Sequence, residues 1–301
     1  MPSVLFNKIG IIGMGLLGGS LGLAAKQRNV ASRVACYVRR ESAIEEVLDA
    51  GAADEASMNL EEVVSNADLI ILCTPLGQMV SLAEQIIPFL KSGAIVTDVG
   101  SAKQRVDSSL TPLFGKSHAS FIGSHPMAGG EKTGVAAARE DLFQDATCAI
   151  CPGPASPKLA TESLTRFWEK LGTSVLSMTP GAHDKAVSRI SHLPHAVASA
   201  MACLGLDSNA PSIQRSLCAT GFADLTRVAS GSPEMWHDIS IQNREHLADA
   251  TDALIELLKQ FSDQLRANDS NAIQALFERA KELRDQWMTE AASNSGMGES
   301  E

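Results

Sequence analysis

The chain has 301 residues, of which 45% are hydrophobic, and its formal net charge is −10. This negative charge argues against a nucleic-acid partner, because a general nucleic-acid binder needs a basic surface. The length favours two domains, and the sequence has neither an apolar stretch that could span a bilayer nor a recognisable signal peptide, so we expect a cytoplasmic protein without a membrane partner.

The first half of the chain alternates short apolar runs with segments of helical periodicity. The runs KIGIIGM, RVACYV, ADLIILCTP and AIVTDVGS are typical of buried strands. Continuous apolar strands that alternate with helices predict an α/β Rossmann-type fold, in which a doubly wound parallel sheet is covered on both faces. Further strands are predicted at ASFIGSHP, ATCAICPG and SVLSMTP, so that a dinucleotide-binding domain spans residues 1–180.

After Pro180 every segment has helical periodicity, which predicts an all-α domain over residues 181–290 and a disordered tail at 291–301. The longest of these segments, residues 233–268, carries an apolar stripe suited to burial. The stripe comprises Leu247, Leu254, Leu257, Leu258 and Phe261. A helix of this length needs a packing partner, and a second subunit is one candidate.

The first strand leads into Gly13, Gly15 and Gly18, which have the G-x-G-x-x-G spacing of a dinucleotide site. In such a site the first glycine allows a tight turn, the second lets the backbone approach the pyrophosphate, and the third lets helix and strand pack closely. The alternative is that the glycines serve only a turn. The other expected cofactor-binding residues are Leu16 and Leu17 after the turn and Thr74 and Pro75 after the ADLIILC strand.

The end of the second strand indicates which nicotinamide cofactor is used. NAD sites place an acid about 20 residues beyond the glycines, whereas this chain has Val38 followed by Arg39 and Arg40. A guanidinium can bind the 2′-phosphate of NADP through charge-assisted hydrogen bonds. We therefore predict NADP over NAD, with a pair of solvated arginines as the alternative.

Two later segments fall where Rossmann ligands gather, at the carboxyl ends of strands. One is TDVGSAK, with Ser101 and Lys103, and the other is GSHPMAGGEKTG, with His125. Histidine has an ordinary pKa near neutrality, so His125 is suited to take a proton while a cofactor takes a hydride. Two roles are open for Lys103: it contacts an anionic group of the cofactor or substrate, or it is simply solvated. Cys148 and Cys151 lie three apart on a predicted strand and therefore face opposite sides, which argues against a shared metal.

Five stretches together resemble the prephenate and arogenate dehydrogenases of tyrosine biosynthesis. They are GMGLLGGS, DVGSAK, SHPMAGGEKTG, SHLPH and TGFADLTRVASGSPEMWHDI, and their order and spacing agree with that family. The resemblance implies a Rossmann domain followed by a helical dimerisation domain, and hence a homodimer. It also implies the oxidation of a cyclohexadienol with loss of CO2, which creates an aromatic ring.

The resemblance also implies roles for individual residues. His125 matches the catalytic histidine that accepts the proton of the ring hydroxyl, and Ser101 matches a serine that contacts the same hydroxyl. Arg227 matches an arginine that binds a substrate carboxylate. The residues that match the helical side of the pocket are His183, His192, His195 and Trp236.

Structural alternatives stand beside these roles. Ser101 could cap a helix, Arg227 could pair with Asp224 or Asp238, and the histidines and Trp236 could be core residues. A metal on His192 and His195 is disfavoured, since no acid or thiol at suitable spacing completes the set.

Glu131 lies six residues after His125, where an acid would favour the ammonium of arogenate over the keto group of prephenate. The alternative for Glu131 is a turn cap or a pair with Lys132. The alternative functions are a hydroxy-acid dehydrogenase of the 3-hydroxyisobutyrate type and a non-catalytic NADP-binding sensor.

Overall fold

A computed structural model describes residues 4–130, 132–207 and 211–295. The chain divides into two compact units, one that ends at Leu247 and one that begins at Ala248. The first unit contains all the strands and most of the helices. It therefore holds every site residue predicted from the sequence.

The first unit is built on a six-stranded parallel sheet with the order β3-β2-β1-β4-β5-β6. Its strands are β1 (Phe6–Ile12), β2 (Ala31–Tyr37), β3 (Glu55–Ser57), β4 (Leu69–Leu72), β5 (Ile95–Asp98) and β6 (Ser120–Phe121). The strand order reverses between β1 and β4, and ligands of such sheets bind beyond the carboxyl ends of the strands at this point. The predicted Rossmann-type fold is confirmed.

Helices cover both faces of this sheet. They are α1 (Leu16–Gln27), α2 (Ser42–Asp49), α3 (Leu60–Val64), α4 (Met79–Ile86), α5 (Gln104–Phe114) and α6 (Lys158–Lys170). Alternate residues of β1 point to opposite faces, so that Ile9 and Ile11 join one buried apolar cluster while Ile12 joins another. Burial on both faces explains why the strands read as continuous apolar runs.

Three later strands form a second sheet, which the sequence did not predict. They are β7 (Gly123–Pro126), β8 (Thr147–Cys151) and β9 (Ser174–Ser177), with β7 antiparallel to β8 and β8 parallel to β9. The stretch ASFIGSHP is therefore divided between two sheets rather than forming one strand. The physical reason lies at Ser124, whose hydroxyl contacts Thr97 at 2.7 Å and Trp168 at 3.1 Å, which holds β7 across the end of β5.

The chain after β9 is helical. Its helices are α7 (Pro180–Val187), α8 (Leu193–Leu206), α9 (Ser212–Ser216), α10 (Thr220–Thr226), α11 (Pro233–Gln242), α12 (Arg244–Arg266) and α13 (Ser270–Ser295), with a π-helical turn at Ser188–His192 between α7 and α8. The segment predicted as one helix over 233–268 is interrupted at Asn243, which is buried and has φ −112°. The predicted domain boundary at residue 180 falls between β9 and α7, whereas the compact units divide after Leu247, because α7 packs on α5 and β8.

The second unit consists of the remainder of α12 together with α13. Phe261 and Phe277 meet there with ring centroids 6.1 Å apart. Leu257 and Leu258 of the apolar stripe are 56% and 57% exposed. A single chain therefore leaves this part of the stripe uncovered. Helix α13 runs to Ser295, so residues 291–295 of the predicted tail are helical, and residues 296–301 lie outside the described part of the chain. Among the described residues, no helix is both long and apolar enough to cross a membrane.

Candidate active site

The glycine loop (residues 13–18) joins β1 to α1. Gly13 has φ +102°, and a Cβ atom there would lie 2.6 Å from the carbonyl oxygen of Cys73. A Cβ on Gly18 would lie 1.9 Å from the carbonyl oxygen of Gly13. A Cβ on Gly15 would meet no described atom within 4 Å. Packing therefore accounts for Gly13 and Gly18, while the open space at Gly15 is the kind that a close-lying ligand needs.

The surroundings of the glycine loop fit an anionic dinucleotide. Helix α1 begins at Leu16, with Gly15 as its N-cap and no side-chain hydrogen bond at the cap, so its first N–H groups are open to a phosphate. Leu17 follows in the first turn and is half-buried. The hydroxyl of Thr74, in the loop after β4, is buried and has no hydrogen-bond partner among the described residues. Pro75 beside it is exposed, so this loop offers both a polar group and an open surface.

Arg39 and Arg40 follow β2 and are both exposed. The guanidinium of Arg40 contacts two side chains of α2, since it lies 2.7 Å from Glu46 Oε2 and 3.2 Å from the Ser42 hydroxyl. The Arg40 side chain nevertheless remains solvated, since it is 66% exposed. Exposed pairs of this kind contribute little stability, so Arg40 could exchange Glu46 for a phosphate at low cost.

His125 lies on β7 and is 7% exposed. Its Nδ1 is 2.9 Å from Nε2 of His183, and Nδ1 of His183 is 2.8 Å from Oδ1 of Asp184. Burial lowers the pKa of His125 well below its ordinary value, and the nearby His183, Lys103 and His192 lower it further. His125 is therefore a neutral imidazole at neutral pH, the form that can accept a proton.

Asp184 connects α7 to the start of α5. Its carboxylate accepts hydrogen bonds from the backbone N–H of Lys103 at 2.7 Å and of Gln104 at 2.9 Å. Burial raises the pKa of Asp184, but hydrogen bonds from His183 and from these two backbone groups outweigh it, so the pKa is lowered. Because Asp184 caps α5, the alternative of Ser101 as the cap of this helix is wrong.

Lys103 is neither solvated nor open to a ligand anion. It is 1% exposed and forms an ion pair with Asp98, which is fully buried. Asp98 also accepts hydrogen bonds from the backbone N–H of Gly100 at 2.9 Å and of Ser124 at 3.2 Å. The pair therefore fixes the end of β5 against β7 directly beside His125.

His192 is buried at the end of the π-helical turn. Its Nδ1 lies 3.0 Å from Nδ2 of Asn243, which also donates to the carbonyl oxygen of Asp184 at 2.8 Å. Burial lowers the pKa of His192 to about 4, with the Asp184 charge and the Ser101 backbone acting in the opposite direction. Nε2 of His192 has no hydrogen-bond partner among the described residues. We refer to His125, His183, Asp184, His192 and Asn243 as the histidine cluster.

Trp236 closes the helical side of the cluster. Its ring stacks on His195 with centroids 3.6 Å apart and lies 6.2 Å from the ring of His192. Nδ1 of His195 donates to the carbonyl oxygen of Ser191 at 2.9 Å. Within the ranges that the structure describes, no three or more His, Cys, Asp or Glu side chains are arranged so that they could hold a metal ion.

Arg227 begins the 3-10 turn Arg227–Ser230, which packs against α8. The same segment continues into Gly231, where a Cβ would lie 2.6 Å from Nε1 of Trp236. Arg227 thus lies on the segment that supports Trp236. Glu131, the residue expected to select the substrate, lies outside the described residues.

The glycine loop and the loop that follows β7 are neighbours. A Cβ on Gly130 would lie 3.3 Å from Cδ2 of Leu16 in the first turn of α1. The segment that follows His125 therefore reaches the start of α1. The sequence did not single out Asp184 or Asn243, although a His-Asp doublet after a helix start and an asparagine within an apolar helical pattern were visible.

Two sequence models of one family match this chain in succession. The model for the nucleotide-binding domain of prephenate dehydrogenase matches residues 21–177. The model for its dimerization domain matches residues 179–279. The chain belongs to the prephenate dehydrogenase family. It is therefore an oxidoreductase with a nicotinamide cofactor, as the sequence predicted.

Individual relatives agree with this assignment. A prephenate dehydrogenase of Bacillus subtilis is 32% identical over 277 residues, which cover 91% of this chain and 74% of the relative. The crystal structure of an Aquifex aeolicus prephenate dehydrogenase in complex with hydroxyphenyl propionate and NAD+ superposes with a TM-score of 0.87 at 27% identity, covering 93% of this chain and 98% of the other. A Synechocystis arogenate dehydrogenase structure gives a TM-score of 0.81 at 31% identity and covers 93% and 99% of the two chains.

Proposed function

We propose that this chain catalyses the oxidative decarboxylation of arogenate, prephenate or both, with hydride transfer to NADP, and yields tyrosine or 4-hydroxyphenylpyruvate. The observation that carries the proposal is the buried, neutral imidazole of His125 on β7, whose following loop approaches the first turn of α1 at Gly130. Family membership supports the reaction class.

The reaction needs a proton acceptor and a hydride acceptor. A bound nicotinamide supplies the hydride acceptor. His125 takes the proton of the ring hydroxyl on Nε2 as the O–H bond breaks and the carbonyl forms. The ring carbon loses its hydrogen with the electron pair, and cleavage of the bond to the ring carboxylate releases CO2 and leaves an aromatic ring.

Other polar groups are assigned to the rest of the substrate. Arg227 binds a carboxylate through its planar guanidinium. Nε2 of His192 lacks a partner among the described residues, and Ser101 lies next to this ring, so both can contact substrate oxygens. Glu131 would favour arogenate by pairing with its ammonium group, and this part of the proposal rests on its place six residues after His125.

The preference for NADP rests on charge. Arg39 and Arg40 follow β2, where NAD sites carry an acid that would repel a 2′-phosphate. The ion pair between Arg40 and Glu46 leaves the arginine exposed and ordered beside this position.

The same family supports a homodimer. The dimerization-domain model covers residues 179–279. Leu257, Leu258 and Phe277, which lie on α12 and α13, are more than half exposed in a single chain. Burial of such side chains against a second copy would stabilise the dimer by roughly 25 cal/mol per Å² of apolar surface.

The structure disfavours the two alternative functions. An enzyme of the 3-hydroxyisobutyrate type relies on a lysine of the helical part, yet Lys185 is exposed while its neighbours His183 and Asp184 are buried. A non-catalytic sensor has no use for a buried base connected to an aspartate.

Steady-state kinetics with both substrates and both cofactors test the proposal. We expect NADPH fluorescence to appear with arogenate or prephenate and CO2 to be released in equal amount. The double variant Arg39→Ala, Arg40→Ala should lose roughly tenfold in kcat/KM for NADP, about 1.4 kcal/mol, and little for NAD.

Two controls complete this experiment. Arg33→Ala removes an exposed arginine near the start of β2 that pairs with Glu55, and it should leave the cofactor preference unchanged. Equal use of both cofactors by the wild type contradicts the NADP assignment, and binding without turnover contradicts the enzyme assignment. Retention of arogenate turnover in Glu131→Gln removes Glu131 from the proposal.

A further inference from the structure

We propose that His183 and Asp184 are positioning residues that hold the His125 ring with its proton on Nδ1, so that Nε2 is the atom that accepts the substrate proton. The inference rests on the proposed function, in which His125 is the base. It adds two residues of α7 that fix the position and the tautomer of the His125 ring.

The first step concerns Asp184. Its carboxylate is 1% exposed and accepts two backbone N–H groups at the start of α5. An ionised carboxylate can only accept hydrogen bonds. The 2.8 Å contact between Oδ1 of Asp184 and Nδ1 of His183 therefore places a hydrogen on that nitrogen.

The second step determines which ring nitrogen of His125 carries the hydrogen. A histidine ring that carries a single hydrogen, on Nδ1, has a lone pair on Nε2. Nε2 of His183 lies 2.9 Å from Nδ1 of His125, so Nδ1 of His125 must be the donor. The other ring nitrogen of His125, Nε2, then carries the lone pair.

The third step concerns rigidity. Asp184 is held by α5 through its carboxylate and by Asn243 through its carbonyl oxygen. His183 is 1% exposed, and its ring meets that of His125 edge to face with centroids 5.1 Å apart. The Asp184 carboxylate and the His183 ring therefore cannot change position without moving α5 or α7.

The fourth step is electrostatic. The basic groups that face His125 are His183, His192 and Lys103. Lys103 is paired with Asp98, while Cys148 on the adjacent strand β8 is a neutral thiol because burial raises its pKa. Asp184 is the carboxylate connected to His125 through the hydrogen bonds of His183, so its charge stabilises the imidazolium that forms as the proton arrives.

Three variants test this inference, with kcat, KM and the pH profile as readouts. Asp184→Asn should lower kcat about 10- to 100-fold, a part of the 10²–10⁴ that a general base supplies, while KM changes less than about threefold. Removal of the negative charge lowers the pKa of His125, so the acid limb of the kcat profile should move to lower pH. His183→Leu should lower kcat to a similar extent, and His183→Gln should retain more activity, since its side-chain oxygen can still accept from Nδ1 of His125.

The matched control is Asp68→Asn. Asp68 also accepts two backbone N–H groups, from Asn7 at 2.6 Å and Lys8 at 3.1 Å, and it also has a lowered pKa, but it does not contact the histidine cluster. This variant should lose a comparable amount of stability in urea unfolding and keep the wild-type kcat and pH profile.

A spectroscopic readout does not depend on turnover. In protein labelled with ¹⁵N-histidine, the His125 resonances assigned through His125→Asn should show hydrogen on Nδ1 in the wild type and in Asp68→Asn. Asp184→Asn and His183→Leu should show hydrogen on Nε2 or a mixture of the two forms.

The outcomes separate this inference from the proposed function. If His125→Asn abolishes turnover while Asp184→Asn and both His183 variants match the wild type, His125 is the base and the positioning role is wrong. Hydrogen on Nε2 of wild-type His125 would also overturn the inference. If His125→Asn keeps full turnover, the proposed base itself is wrong.

Discussion

The glycine loop and the histidine cluster serve the same site but are assembled in different ways. The glycine loop lies within six consecutive residues, and its geometry follows from the turn between β1 and α1. The histidine cluster draws on β7, α7, the π-helical turn and the interruption after α11. The glycine loop is shaped by the absence of side chains, whereas the histidine cluster is shaped by hydrogen bonds between its side chains.

This comparison shows how differently the two regions respond to substitution. In the glycine loop an added methyl group is the disturbance, and its effect depends on which glycine receives it. In the histidine cluster the removal of one partner leaves a buried polar group unsatisfied, which costs about 1–3 kcal/mol and reaches the neighbours through shared hydrogen bonds.

The largest effect is expected at the base. His125→Asn should lower kcat by about 10²–10⁴, because asparagine cannot take the substrate proton at neutral pH. Cofactor binding, measured by fluorescence titration, should change little, since the glycine loop is intact. His118→Asn alters an exposed histidine outside the cluster and should behave as wild type. Undiminished turnover in His125→Asn would separate the histidine cluster from the chemistry.

The next largest effects are expected in the glycine loop, where Gly18 serves packing and Gly15 serves cofactor binding. Gly18→Ala should destabilise the protein by about 1–3 kcal/mol, because its methyl group would lie 1.9 Å from the Gly13 carbonyl oxygen. Gly15→Ala has open space and should leave urea unfolding nearly unchanged, yet weaken NADP binding about tenfold or more. Equal stability of the two variants would contradict the packing argument, and unchanged NADP binding in Gly15→Ala would contradict the cofactor site.

The smallest effect concerns the pH dependence of stability. His192 is neutral in the folded protein because burial lowers its pKa to about 4, whereas an unfolded histidine has a pKa near 6.5. Below pH 6.5 the unfolded chain therefore binds a proton that the folded protein does not, and stability falls as the pH decreases towards 4. Between pH 7 and pH 5 this residue alone should remove about 2 kcal/mol from the free energy of unfolding.

Urea unfolding of wild type and His192→Asn at both pH values measures this difference. The variant should lose that part of the pH dependence, while His118→Asn should retain it. An identical pH dependence in wild type and His192→Asn would mean that His192 is not held neutral by burial.

Several features could be predicted from the sequence because they are local. Short apolar runs that alternate with segments of helical periodicity predicted the Rossmann-type sheet. The spacing of Gly13, Gly15 and Gly18 predicted the turn. His125 stood out because proline, glycine and charged residues surround it in one loop. The family followed from a resemblance in five stretches, and the comparisons confirm the family.

Only the tertiary structure decided how these parts meet. The division of ASFIGSHP between two sheets depends on Ser124 contacting Thr97 and Trp168, which lie 27 and 44 residues away in the chain. The roles of Asp184 and Asn243 likewise depend on partners 51 to 81 residues distant. A sequence specifies local conformation through neighbouring residues, but which buried donor meets which acceptor is determined when separate elements pack together.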